Sequence, residues 1–563
     1  MSTEVPVKLT RNEELKAAIP TLAGTIAATL ADPAVDHFSH EDYEFLKFHG
    51  CYQQDDRDLR KTGKKYIMMV RSRIPGGVMT AHQWKTFDAL ASTYGNNTLR
   101  ITTRQTIQFH GVLKANVRSV IQGINECLLS TLAACGDVER NVMAPPTPAY
   151  TRAREEVYAD CQRVAMALAP KTPAYHAIWI NGVQLNLDEA ANRNFEDPLY
   201  GKMYLPRKFK TAFAIPPVND IDIFTNDQGY IAIVENDRLV GYNLAVGGGM
   251  GRSHGNAQTY PRLADVVGFL TPDKLIDVAK AVLTIHRDFG DRTDRKHARL
   301  KYVVEERGVE WTRAEIEKRA GFKLEPPRPF QFTSSSDLYG WRRAVDGSWF
   351  LTLFVETGRV KDTEGHRLKT ALRQVAEKYT DLEFRLTPNQ NVILARVLEE
   401  DKDAINELLI EHGIKTGLRQ TTPLHAVALA CPALPTCGLA LAESERMLPG
   451  LLDRIEKLCQ EVGLDGEEII IHSTGCPNGC ARPYTAEIGL VGKAPGRYQI
   501  WLGGNLAGTR LAKLWCEVVK DTDIETELRP VLARYAHERF NRESFGDWCD
   551  RVLLKEPTTE FSI

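Results

Sequence analysis

The segment LRITTRQTIQFHGV (Leu99–Val112) returns far downstream as FRLTPNQNVILARV (Phe384–Val397). Arg385, Leu386 and Thr387 of the second copy fall where Arg100, Ile101 and Thr102 stand in the first, and Gln390 falls on Gln105. Each copy reads as two short strands around a polar turn. The surroundings repeat too. IMMVRSRIPGG and WFLTLFVETGRV precede the copies as a strand closed by a glycine turn. Helical stretches, at about Ala81–Ala91 and in HRLKTALRQVAEKY, stand in the same place within each series. The same strand–helix–strand-pair order twice over predicts an internally duplicated chain.

Outward from each repeat lies a larger block. The first holds LPRKFKTAFAIPP, IDIFTNDQGYIAIVEND and NLAVGGGMGRSHG, then a charged helical region to about Arg319. The second holds STGCPNGCARPYTAEIGLVGKAPGRYQIWLGGNLAGTR and a helical tail. Both have strands ending in glycine turns, at Gly247–Gly251 and Gly503–Gly504, and EPPRPFQFTSSSD joins the halves near residues 325–337. The expected plan is a mixed α+β chain: an arm at 1–60, a small unit at 61–132, a large one at 133–335, a second small unit at 336–402 and a second large one at 403–563.

Composition narrows the function. The chain has 563 residues, 43% hydrophobic and 26% charged, with 71 Lys plus Arg against 73 Asp plus Glu. This is ordinary globular composition, which excludes a disordered tail or a fibre, and a net charge of −2 speaks against a general nucleic-acid binder. The opening MSTEVPVKLTRNEELKAAIP has no secretory profile, and the apolar run Ala426–Ala442 contains Pro432, Pro435 and two cysteines, so no membrane span is expected. A cytoplasmic protein follows, in which the 11 cysteines stay reduced.

Four of those cysteines are patterned. Cys431 and Cys437 sit in ACPALPTCGLA, and Cys476 and Cys480 in TGCPNGCARP. If GCPNGC opens a helix, Cys476 and Cys480 share one face. Four convergent thiolates imply zinc or an iron–sulfur cluster. The wide gaps and the absence of a local histidine pairing favour [4Fe–4S]. A cluster alone only moves electrons. GGGMGRSHG lacks the third glycine of a dinucleotide fingerprint and no phosphate-loop motif occurs, so a separate electron donor is implied.

A second pattern is cationic. Arg71 and Arg73 alternate in VRSRIPGG, Lys208 and Lys210 in LPRKFKT, with Arg104 and His110 in TRQTIQFHG and Arg140 in VERNVMAPP. Alternating residues on a strand share a face. Clustered like charges need a counter-charge, so these residues are expected to surround a large or permanent anion.

TGCPNGCARPYTAEIGLVGKAPGRY, ACPALPTCGLALAE, LPRKFKTAFAIPPVNDIDIFTND and NLAVGGGMG together resemble the sirohaem-dependent sulfite and nitrite reductases, over nearly the whole chain. The resemblance is strongest to the assimilatory, flavoprotein-linked branch. It implies two ferredoxin-like half-domains and two larger α/β sirohaem/Fe–S domains in pseudo-two-fold arrangement. It implies that Cys431, Cys437, Cys476 and Cys480 hold a [4Fe–4S] cluster, and that Cys480 is also the axial ligand of sirohaem iron. Asn478 would lie against the macrocycle, Arg71, Arg140, Lys208 and Lys210 would bind sulfite, and Arg73, Arg104 and His110 would meet sirohaem carboxylates, with Arg71 and Arg73 able to exchange roles. The implied reaction is six-electron reduction of sulfite to sulfide for cysteine biosynthesis. The implied donor is an NADPH-dependent FAD/FMN flavoprotein α-component in a hetero-oligomer; the GGGMGRSHG loop admits ferredoxin instead. A ferredoxin-dependent nitrite reductase of the same fold and a zinc-stabilised binding protein are the competing expectations.

Overall fold

The structure is a computed structural model that describes residues 8–172, 178–180, 183–185 and 195–555. The repeated segments form two matching sheets. In the first, strands run in the order Cys51–Asp55, Tyr66–Arg71, Ile107–Val112, Leu99–Ile101, Arg359–Val360; in the second, Gly340–Arg343, Trp349–Leu353, Val392–Val397, Glu383–Leu386, Val78–Thr80. The last strand of each sheet comes from the other half of the chain: Arg359 pairs with Arg100, and Glu383 with Thr80. The halves therefore complete one another, and a single apolar core runs through both. The Cys51–Asp55 strand lies within the stretch expected as an arm, so the N-terminal region enters the first sheet. Further back, Lys16 is buried beside Glu13 and Asp137.

Helices Ala81–Tyr94, Val117–Glu126, Leu368–Lys378 and Lys402–Glu411 contribute to that core. Thr80 and Gln83 close the first helix with a reciprocal capping box. Its Trp84, 0% exposed, stacks on Phe384 of the other half with ring centroids 4.8 Å apart. Trp84→Ala is expected to destabilise the protein by about 3–5 kcal/mol, since it opens a cavity at this junction. A thermal unfolding midpoint equal to wild type would contradict that.

The repeated glutamine has one job in both copies. Gln105 and Gln390 both have left-handed φ, +52° and +70°. Gln105 Nε2 donates to Ala144 O and its Oε1 accepts from Ala144 N; Gln390 does the same with Ala430. Each turn is thereby tied to the start of its large unit.

Those large units also match. Thr211–Ala214 runs parallel to Gln228–Glu235, which pairs antiparallel with Arg238–Val246. Ile471–Thr474 runs parallel to Ile488–Ala494, which pairs antiparallel with Arg497–Leu502. The two glycine turns follow from this repeated crossing: a Cβ on Gly248 or Gly504 would collide with the backbone carbonyls of Phe224 or Thr485. Separate apolar cores fill the two units. The site lies where the Cys476–Cys480 turn, the 247–252 loop and the open face of the first sheet meet.

Candidate active site

The cysteine turns are brought together by backbone. Cys431 follows the Leu429–Ala430 strand, and Leu441 N and Ala442 N donate to Gly475 O at 2.7 and 3.0 Å, which ties the first cysteine loop to the second. Gly475 N donates to Cys431 Sγ at 3.3 Å. A side chain at 475 would run into Ala433 and Ala442 O, so only glycine allows this approach. Asn478 Nδ2 donates to Cys476 Sγ at 3.5 Å. These donors stabilise sulfur carrying negative charge.

Residues 476–480 form turns and not the expected helix. Gly479, at φ +63°, breaks helical geometry, and a Cβ there would press on Tyr484 and Met250. The four thiols still converge. Burial, then Cys480, then Cys476 and Cys437 push the Cys431 thiol well up; burial and then Cys480 push Cys476 up to about 12. Burial also raises Cys437, with Cys480 again among the causes. A cationic core among them would hold the four as thiolates. A lone zinc at about 2.3 Å would draw its sulfurs to within about 4 Å of one another. Among the described residues no His, Cys, Asp and Glu trio has single-ion geometry.

Cys480 is exposed, whereas Cys431 and Cys476 are buried. Thr103 Oγ1, in the first repeat's turn, donates to its carbonyl at 3.0 Å. On the other side, Arg252 N donates to Pro477 O at 2.9 Å. The 247–252 loop is held by Lys301, whose Nζ donates to the carbonyls of Gly249, Gly251 and Tyr260. Burial and Arg299 press the Lys301 pKa down to about 6, but three carbonyl acceptors favour the ammonium.

Cys480 faces a basic wall. Its charge is felt at Arg71, Lys208 and Lys210. Lys208 and Lys210 flank the buried Phe209 on an extended segment, as alternation predicts. Among the described residues neither ammonium has a hydrogen-bond or carboxylate partner. Burial, then Arg299 and Arg207, lower Lys208 to about 7; burial, then Arg104, Lys208 and Arg299, lower Lys210 well below its ordinary value. Arg140 Nε donates to Gly136 O at 2.9 Å, and its charge also bears on Lys208. Such crowding is costly until an anion with several charges arrives, so the wall fits a polycarboxylate macrocycle and a small oxyanion.

Arg104 is held by Asn226 Oδ1 at 2.7 Å and by the carbonyls of Asn141 and Thr211, while its buried Nε lacks a partner. His110 is buried beside Gln108, near Arg359, Glu445 and Arg100, with Nδ1 unpartnered. Arg73 departs from expectation. The strand stops at Arg71, Arg73 N donates to Ser130 O, and its Nη2 donates to Ala165 O at 2.7 Å, near Glu139 and Cys161. The alternation of 71 and 73 does not carry past the strand end, so Arg71, not Arg73, faces Cys480.

The sequence reading passed over Arg207, Arg299, Lys301, Gln108 and Cys135. Arg207 stood beside the lysine pair and was within reach of the same argument. Arg299 and Lys301 lie in a charged helical region with no local sign that it reaches the pocket.

The chain matches two family descriptions: "Nitrite and sulphite reductase 4Fe-4S domain" over residues 159–324, and "Nitrite/Sulfite reductase ferredoxin-like half domain" over 60–127 and 342–412. Among curated proteins it is 50% identical to the sulfite reductase [NADPH] hemoprotein beta-component of Myxococcus xanthus, across 97% of each chain. It is 49% identical to the protein of that name from Geobacillus kaustophilus, across 97% of this chain and 96% of the other. The solved structure of Mycobacterium tuberculosis NirA protein superposes with TM-score 0.78 at 23% identity, covering 96% of each chain, which speaks for the fold.

Proposed function

The chain belongs to the nitrite and sulfite reductase family, and we propose that Arg71, Arg140, Lys208 and Lys210 bind its oxyanion beside a cofactor pair joined at Cys480. It is a sulfite reductase haemoprotein: it reduces sulfite to sulfide with six electrons, the three oxygens leaving as water, using sirohaem and a [4Fe–4S] cluster. When bound, the two cofactors supply electrons and an iron site for sulfur.

The chain's own residues supply the rest. Cys431, Cys437, Cys476 and Cys480 would hold the cluster, with Cys480 also holding the haem iron; Asn478 and Gly475 orient the thiolates. Arg104 and His110, with unpartnered buried nitrogens, are suited to macrocycle carboxylates. Arg71 and Arg140 hold the oxyanion electrostatically. Lys208 and Lys210 add charge and are placed to give protons to departing oxygens; burial among cations lowers both pKa values, that of Lys208 to about 7. The observation that carries this reading is a pair of lysines, without a partner among the described residues, near the exposed thiol of a four-cysteine set.

Electrons would come from an NADPH-dependent flavoprotein α-component in a hetero-oligomer, as the relatives' name suggests and as the missing nucleotide motifs support. No helix among the described residues is long and apolar enough to cross a membrane, and a cytoplasmic location accords with reduced cysteines.

The test is turnover of the purified holoprotein with reduced methyl viologen, with sulfite and nitrite at equal concentration. Stoichiometric sulfide release and higher efficiency on sulfite are expected; efficient ammonia formation with negligible sulfide would contradict the reading.

A further inference from the structure

Arg71 is gripped before any ligand arrives. Its Nη1 donates to Cys135 Sγ at 3.2 Å. Gln108 stands directly opposite Arg71 in the neighbouring strand. With its amide oxygen toward the arginine, Gln108 Oε1 accepts from Arg71 Nε at 3.0 Å and also from Nη2. The amide nitrogen then donates to His110 Nε2 at 2.9 Å. His110 can accept there because burial, and next Arg359, hold its pKa well below the usual value, so the ring is neutral. A guanidinium has five N–H donors. One on Nη1, one on Nη2 and the one on Nε are used, which leaves one on each terminal nitrogen.

The internal repeat provides a control. By strand register, Thr352 and Ile393 occupy in the second sheet the places of Arg71 and Gln108, and Ala395 stands where His110 does. All three are buried, at 2%, 2% and 0% exposure. The fold keeps this sheet without any polar triad, although it repeats the Gln105/Gln390 brace. The Arg–Gln–His chain exists only in the half whose sheet faces Cys480.

We propose that Gln108, backed by His110, is a positioning residue that fixes the Arg71 guanidinium so that its two free N–H groups face the oxyanion. Gln108 itself does not touch substrate. An amide suits this task better than a carboxylate, because it supplies two acceptor contacts without neutralising the positive charge the anion needs. The proposal rests on the reading of Arg71 as an oxyanion ligand.

The experiment is a sulfite titration of the holoprotein, followed in the visible spectrum, for wild type, Gln108→Met, Arg71→Met and the double variant. Gln108→Met is expected to weaken sulfite binding about tenfold and to raise KM with little change in kcat, with iron content and the unliganded spectrum intact. In the Arg71→Met background the same change is expected to add nothing. Unchanged affinity in Gln108→Met, or an equal tenfold loss in both backgrounds, would overturn the inference. Full-strength binding by Arg71→Met would overturn the reading of Arg71 itself, and the inference with it. Should Gln108→Met not load its cofactors, Gln108→Glu keeps the grip but cancels the charge; weaker binding is expected, and wild-type or tighter affinity would refute the proposal.

Discussion

Cys480→Ser is expected to abolish sulfite reduction, by at least about 10³-fold, and to remove the electronic link between the two iron centres. Cys431 and Cys476 are buried, and their neighbours already donate to sulfur: Gly475 N to Cys431, Asn478 Nδ2 to Cys476. Cys480 alone is exposed toward the basic wall, with its carbonyl pinned by Thr103. A serine oxygen is harder and far less acidic than a thiol, so it bridges iron poorly. The check is the visible spectrum with iron and labile sulfide analysis. A variant with wild-type spectrum and turnover would refute the role of Cys480.

Lys208→Met is the second large effect. It should lower kcat/KM for sulfite on the order of 10²–10³-fold while the spectrum stays close to wild type, because a preorganised charge and a proton donor are lost together. The pH dependence has a definite sign. The donor form is the ammonium, so wild-type activity falls as pH rises through the lysine pKa. Burial, Arg299 and Arg207 bring that pKa to about 7. Bound carboxylates push it back up, so the alkaline limb should lie above 7 and below the ordinary 10.5. In Lys208→Met the limb should shift or vanish. An unaltered profile with unaltered kcat/KM would remove Lys208 from the chemistry.

Much of this was legible in the sequence because it was encoded locally. The Leu99–Val112 and Phe384–Val397 repeat names its own strands, and its shared glutamine turns out to brace both halves alike. The cysteine spacing singled out four thiols that the fold then brings together. What was not legible depended on contacts far apart in sequence. The exchanged edge strands, Val78–Thr80 and Arg359–Val360, are three and two residues long, and pairing with the opposite half decides them. Arg71 and Arg73 do not share a face, because alternation is a property of a continuing strand and this strand ends at Arg71. GCPNGC misled because Pro477 suits a first helical turn, whereas the left-handed Gly479 forbids the second. Gln108 carries no sequence signal at all, and only the register opposite Arg71 gives it meaning.

The central claim is that one thiolate, on Cys480, serves both iron centres. The most direct measurement is a Mössbauer spectrum of the isotopically enriched, oxidised holoprotein, since metals sharing a sulfur ligand are magnetically coupled. The account predicts magnetic splitting of the cluster irons driven by the paramagnetic haem iron. A spectrum that resolves into two independent centres, with the cluster diamagnetic beside the haem, would contradict it.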